Sequence, residues 1–122
     1  MTIQLVLEKE GGKLWGRVSY DDNLIVDSAT TLQTLEKKIR KLLKDFHQVE
    51  EATFEYAYDL TVFFEEFSFL NQSKIAALSG INASLLRQYA SGVKNPSEQQ
   101  AKKIQAAIRG LAVRLKNVQI YA

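Results

Sequence analysis

Gln72-Ser-Lys-Ile-Ala-Ala-Leu-Ser-Gly-Ile-Asn-Ala-Ser-Leu-Leu-Arg-Gln-Tyr-Ala-Ser-Gly-Val-Lys-Asn-Pro96 reads as two short helices joined by a glycine turn. The first helix is expected from about Ser73 to Leu78, with Asn71 as its capping oxygen and Ile75, Ala76 and Leu78 turned inward. Ala76 is small where two helices cross closely, since a larger side chain there holds them apart. Gly80 permits the left-handed backbone that ends the helix, and Ile81 plugs the core from the turn.

Asn82 is placed to cap the next helix, which runs from Ala83 to about Ala90. Burying Leu86 and Tyr89 leaves Ala83, Ser84, Arg87 and Gln88 on the opposite face, with Leu85 partly exposed. Small and polar residues at the start of a second helix suit entry into a DNA major groove, where Gln pairs with adenine and Arg with guanine. The plain alternative is a solvated face. The pattern as a whole is that of a helix-turn-helix.

Charge is divided along the chain. Residues 1–66 contain eight Lys and Arg against thirteen Asp and Glu, a net of −5, whereas residues 67–122 contain eight against one, a net of +7. The overall +2 conceals a basic half joined to an acidic one, which fits a nucleic-acid-binding part carried by a domain with another task.

After Pro96, Ser97 and Gln100 form a capping-box signature, and a long helix is expected to about Lys116. Ala101, Ile104, Ile108, Leu111 and Leu115 alternate three and four apart, a seam that closes the helical core at its start and leaves its last two turns for a dimer contact. Lys102, Arg109 and Lys116 lie on the other side, as a solvated face first and a phosphate track second. Val118 to Tyr121 alternates like a strand but is too short to decide.

Residues Asn71 to Ile108 resemble the lambda-repressor-like (Cro-type) helix-turn-helix family in Gln72, Ala76, Gly80, Leu86, the Ser91-Gly92 exit and Pro96. The resemblance implies that Gln72 holds a phosphate, that Ala83, Ser84, Arg87 and Gln88 face the groove, and that Lys94 and Asn95 touch the DNA backbone. Asn82 is counted with this DNA-binding set. Ala83 stands where a longer polar residue is frequent, so direct readout leans on Ser84, Arg87 and Gln88.

The first half has another character. Ile3, Leu5 and Leu7 alternate with polar residues, Glu10-Gly-Gly-Lys13 turns the chain, and Leu14 to Tyr20 returns as a second strand. Asp21-Asp-Asn23 turns it again into Leu24-Ile-Val26. A helix then starts at Thr30 with Gln33 as capping pair, its apolar face made by Leu32, Leu35, Ile39, Leu42, Leu43 and Phe46. Phe54, Tyr56 and Tyr58 mark a fourth strand. The fold class is therefore α+β: a small antiparallel sheet with one covering helix in ββ(β)αβ order, followed by an all-α helix-turn-helix module. The division falls into domains 1–59 and 60–122, with the aromatic stretch Leu60 to Leu70 as first helix of the second domain, capped by Asp59 or Thr61 and packed partly on the sheet.

The Gly-Gly hairpin, the Leu14-Trp-Gly-Arg-Val18 strand and Asp27-Ser-Ala-Thr-Thr-Leu32 resemble the HicB-like domain, a shortened relative of the ribonuclease H fold. Asp21-Asp-Asn23 stands where that family commonly has a Pro-Gly-Cys stretch. The resemblance implies an antitoxin that sequesters a small HicA-like toxin through its N-terminal domain and represses its own operon through the C-terminal one. An orphan module, in which the helix-turn-helix only dimerises or docks, is the alternative.

A chain of 122 residues, 46% apolar, holds one medium core or two small ones. The absence of cysteine excludes disulfides, and one histidine, His47, supports no relay or histidine cluster; no cofactor and no metal are expected. The acids Glu8, Glu36 and Asp59 look too scattered for nuclease chemistry, so no enzyme is expected. Gly11-Gly12 lacks the Gly-Lys-Ser/Thr ending of a phosphate loop. With neither basic leader nor long apolar run, the expected location is the cytoplasm, without membrane contact. Expected partners are double-stranded operator DNA, a HicA-like toxin and a second copy in a homodimer or higher oligomer.

Overall fold

The computed structural model describes every residue from Met1 to Ala122. The chain is α+β, with a four-stranded mixed sheet and five helices, and it divides into two compact units, Met1–Glu66 and Phe67–Ala122.

In the first unit, β1 (Thr2–Glu10) and β2 (Lys13–Tyr20) form a hairpin through Gly11 and Gly12, both left-handed at φ 60° and 75°. Two successive left-handed residues make the turn whose twist matches that of paired strands. β3 (Asn23–Ala29) follows the turn Asp21-Asp22, also left-handed at φ 51° and 61°, and extends three residues beyond the expected Val26. Aspartate tolerates that backbone better than bulkier residues.

Helix α1 (Leu32–His47) is capped by Thr31, whose hydroxyl accepts from the Thr34 N–H at 3.2 Å, one residue later than the expected Thr30. Leu35, Ile39 and Leu43 are fully buried against the sheet beside Leu5, Leu7 and Val18. Burying a leucine or isoleucine contributes about 1.5–3 kcal/mol, so this layer holds the unit together. Phe46, expected on the same face, is 72% exposed, lining an open groove with Leu42, His47 and residues of β3.

The sheet order is β3-β2-β1-β4, with β4 at Thr53–Tyr58. The expectation of an antiparallel sheet is corrected at β4, which runs parallel to β1 and sets Thr2 opposite Thr53 and Leu7 opposite Tyr58. A helical crossover returns the chain in its original direction, and α1 supplies that crossover from β3 to the far edge.

Helix α2 (Leu60–Glu66) packs on β1 and β4, and Val62 joins the sheet's core. Asp59 caps it, its Oδ1 accepting from the Val62 N–H at 2.7 Å, and Lys9 pairs with Glu65 at 3.1 Å. The units therefore divide after Glu66, seven residues beyond the expected boundary at Asp59, and α2 belongs to the sheet unit.

The second unit contains α3 (Gln72–Ser79), α4 (Ala83–Ser91) and α5 (Glu98–Lys116), with α3 packed on both others. Ile75, Ala76, Ile81, Leu86, Tyr89 and Ile104 are buried. Of the α5 seam only Ile104 is buried; Ala101 is exposed, Ile108 and Leu111 are half-buried, and Leu115 is 59% exposed. Val118 to Tyr121 forms no strand.

Candidate nucleic-acid interface

Asn71 begins α3, its Oδ1 accepting from the Lys74 N–H at 3.1 Å. The inward face of α3 is Ile75, Ala76 and Ser79, whereas Leu78, expected inward, is 51% exposed. Ser79 occupies the buried position by donating its hydroxyl to the Ile75 carbonyl at 2.8 Å and the Ala76 carbonyl at 3.0 Å. A hydroxyl satisfied within its own helix loses most of the cost of burial.

Gly80 is left-handed at φ 72°, and the Ile81 N–H donates to the Ala76 carbonyl at 3.0 Å, closing the helix in a Schellman arrangement. Ile81 is buried, and Asn82 follows at once as the next cap. Its Oδ1 accepts from both the Ser84 N–H at 2.9 Å and the Leu85 N–H at 3.3 Å. Gly80-Ile81-Asn82 thus stops one helix, anchors the turn and starts the next within three residues.

Helix α4 presents Ser84 and Arg87 to solvent and leaves Ala83, Leu85 and Gln88 half-buried. Gln88 departs from the expected outward face, since its Oε1 is enclosed without a hydrogen-bond partner. Its backbone carbonyl is heavily used, accepting from Val93 N–H at 3.0 Å, Lys94 N–H at 3.2 Å and the Ser91 hydroxyl at 3.2 Å. These bonds and Gly92 at φ 82° close α4 and hold the start of the loop that exposes Lys94 and Asn95. Gln72, the first residue of α3, is half-buried, and Asn82 is exposed. Ser97 opens α5 by accepting from the Gln100 N–H at 3.1 Å, while the Gln100 Oε1 is enclosed without a partner, so the reciprocal half of the capping box is not made.

The electrostatics of the two units differ more than their net charges suggest. In the sheet unit Lys9, Arg17, Lys38, Lys41 and Lys44 each meet a carboxylate, and Arg40 lies 4.4 Å over the Phe54 ring. In the helical unit the single acid, Glu98, is 3.3 Å from Lys102, and Lys74, Arg87, Lys94, Lys103, Arg109, Arg114 and Lys116 have no ion pair. The sequence division of charge is thereby sharpened, because most cations of the first half are already matched.

The acids weighed for metal chemistry are each engaged separately. Glu8 pairs with Arg17, Glu36 accepts from the Tyr56 hydroxyl, and Asp59 accepts from the Lys9 and Val62 N–H groups. No three His, Cys, Asp or Glu side chains are grouped to hold a metal ion, and no helix is long and apolar enough to cross a membrane.

No family model, curated protein or solved structure matches the chain.

Proposed function

We propose that residues 67–122 form a helix-turn-helix module that binds operator DNA, and that the chain is a HicB-like transcriptional regulator whose sheet unit receives a partner protein. The observation that carries the DNA reading is the set of seven cations without ion pairs in the unit that exposes Ser84 in the first turn of α4 and Arg87 one turn later. Phosphates supply the missing countercharge, and an exposed Arg in the first half of a helix that enters the groove reaches base edges. The tight Gly80-Ile81-Asn82 junction supports the same reading, since it gives α4 one rigid direction. No catalytic step belongs to it.

The test is fluorescence anisotropy of the full chain on the DNA upstream of its own reading frame and on scrambled DNA, across a salt series. Tighter binding to the upstream DNA, falling steeply with salt, is expected. Equal binding to both, or none near physiological salt, overturns it.

The HicA-like toxin partner rests on the resemblance of the sheet unit alone. It is tested by co-purification with the product of the adjoining reading frame. A second reading, a helical unit that serves only protein association, draws on Val113 and Leu115, 63% and 59% exposed on the last turns of α5.

A further inference from the structure

The edge strand β3 is open along half of its length and closed along the other. Tyr20 and Asn23 face each other across the two-residue turn. Such a turn is closed by a hydrogen-bonded pair, and bonded and non-bonded pairs alternate along an antiparallel ladder. Asn23, Ile25 and Asp27 therefore direct their backbone groups toward β2, and Leu24, Val26 and Ser28 direct theirs to the free side.

At Ser28 both groups are occupied: the N–H donates to Asp27 Oδ1 at 2.8 Å, and the carbonyl accepts from Lys38 Nζ at 2.8 Å. Nothing occupies the outward groups of Leu24 and Val26. Their side chains are 64% and 45% exposed on one face of the sheet, and on the other Phe46 stands beside the strand in a groove with Leu42 and His47. Unpaired backbone with apolar side chains on both faces is the combination that soluble sheet proteins normally guard against.

We propose that a second copy of this chain covers this edge, β3 pairing antiparallel with its counterpart about a two-fold axis at Ile25. That centre sets Leu24 opposite the partner's Val26, and each such pair exchanges both backbone bonds, so every open group is used. It also sets Asn23 opposite the partner's Asp27, an amide facing a carboxylate. Centring on Val26 instead wastes Leu24 against the partner's Ser28, whose groups are taken.

Charge selects the same occupant. Asp21 and Asp22 have no ion pair, whereas Lys38, at the other end of the edge, is only loosely held by Asp27 at 3.8 Å. The two-fold brings Asp22 beside the partner's Lys38, so the edge complements itself. Each copy consumes its own open segment, and this contact closes at two subunits. It is independent of DNA binding.

The chain has no cysteine, so Ile25→Cys tests the register directly. The non-bonded pair on the axis holds Cα atoms about 4.5 Å apart, within the range of roughly 4.4–6.8 Å that a disulfide spans. Under mild oxidation Ile25→Cys is expected to give mainly linked dimer, and Val93→Cys, 74% exposed in the other unit, little. Adding Val26→Lys is expected to suppress the link and, in sedimentation of the otherwise native chain, to weaken association by roughly tenfold or more, since it replaces the apolar contact with the partner's Leu24 by a charge of the kind that keeps sheet edges unpaired. Circular dichroism and thermal unfolding check that the variants fold, since Ile25 is a core position at 9% exposure whereas Val26 and Val93 are exposed. The proposal is overturned by a native chain that sediments as a monomer at high concentration, by a dimer indifferent to Val26→Lys, or by Ile25→Cys linking no faster than Val93→Cys.

Discussion

Leu35 rests on Gly16 so closely that a Cβ added to the glycine would lie 2.8 Å from Leu35 Cδ2 and 3.1 Å from Leu5 Cδ1. Helix α1 is seated on β2 at the one position where the strand has no side chain. Glycine ordinarily weakens a strand, so its presence here follows from close approach rather than from a turn.

Gly16→Ala is therefore expected to destabilise the chain by about 1–3 kcal/mol, the usual cost of overfilling a packed core. Urea unfolding followed by far-ultraviolet circular dichroism measures it. Leu35→Ala should cost less in the Gly16→Ala background than in the native chain, because the two positions share one space. An alanine variant as stable as the native chain would show that α1 shifts freely on the sheet.

Arg87→Ala is expected to cost about 1–3 kcal/mol on the upstream DNA and to relax preference at one base position, if Arg87 reads a base edge. Lys94→Ala should weaken all DNA sequences alike and lower the salt slope by roughly one ion. Anisotropy titrations of both variants decide it: a uniform loss for Arg87→Ala would reassign that residue to phosphate contact.

Asn82 separates stability from binding. Asn82→Ala removes a cap that serves two amides and should cost about 1 kcal/mol or somewhat more in thermal unfolding. Asn82→Asp keeps the cap, retains the native melting temperature and adds a negative charge to the surface proposed to meet phosphate, so it should bind DNA more weakly. Undiminished binding by the aspartate variant would place this end of α4 away from the DNA.

Tyr56 offers a spectroscopic handle on the first unit. Its hydroxyl donates to the Glu36 carboxylate, and this bond, with burial and the nearby negative charge, pushes its pKa up to about 12. A raised value means that the fold favours the protonated phenol; the contribution to stability is complete below about pH 10 and is lost as pH rises toward 12. Absorbance titration at alkaline pH should show a late tyrosine step that Tyr56→Phe removes and Glu36→Gln moves to lower pH. A late step that survives Tyr56→Phe belongs to another residue.

The parts legible in the sequence were those set by local chemistry. Gly11-Gly12, Asn71, Gly80, Asn82 and Ser97 act where their residue types demand, because a left-handed backbone or a capping oxygen depends on few neighbours. Direction was not legible: alternation in Phe54 to Tyr58 says that a strand buries one face, and it reads the same whether the neighbour runs parallel or antiparallel. The burial of Ser79 in place of Leu78 was hidden because the serine hydroxyl satisfies itself on its own helix, a bond without a pattern in apolar spacing. The assignment of α2 to the sheet unit was likewise hidden, since an aromatic stripe shows that a helix is covered and leaves open by what. At the candidate interface, Ser84 and Arg87 are exposed as periodicity suggests, whereas the enclosed Gln88 oxygen depends on packing that helical spacing does not encode.

The position of β1 between β2 and β4 imposes an order of events on the nascent chain. Its pairing with β2 joins near neighbours, but Thr2 waits for Thr53, a separation of 51 residues, before its other side is bonded. The three-stranded meander can assemble while later residues are still being synthesised, and the inner strand then spends that interval as a temporary edge. Closure of long loops is slow relative to hairpin formation, so amide protection should be acquired last along β4.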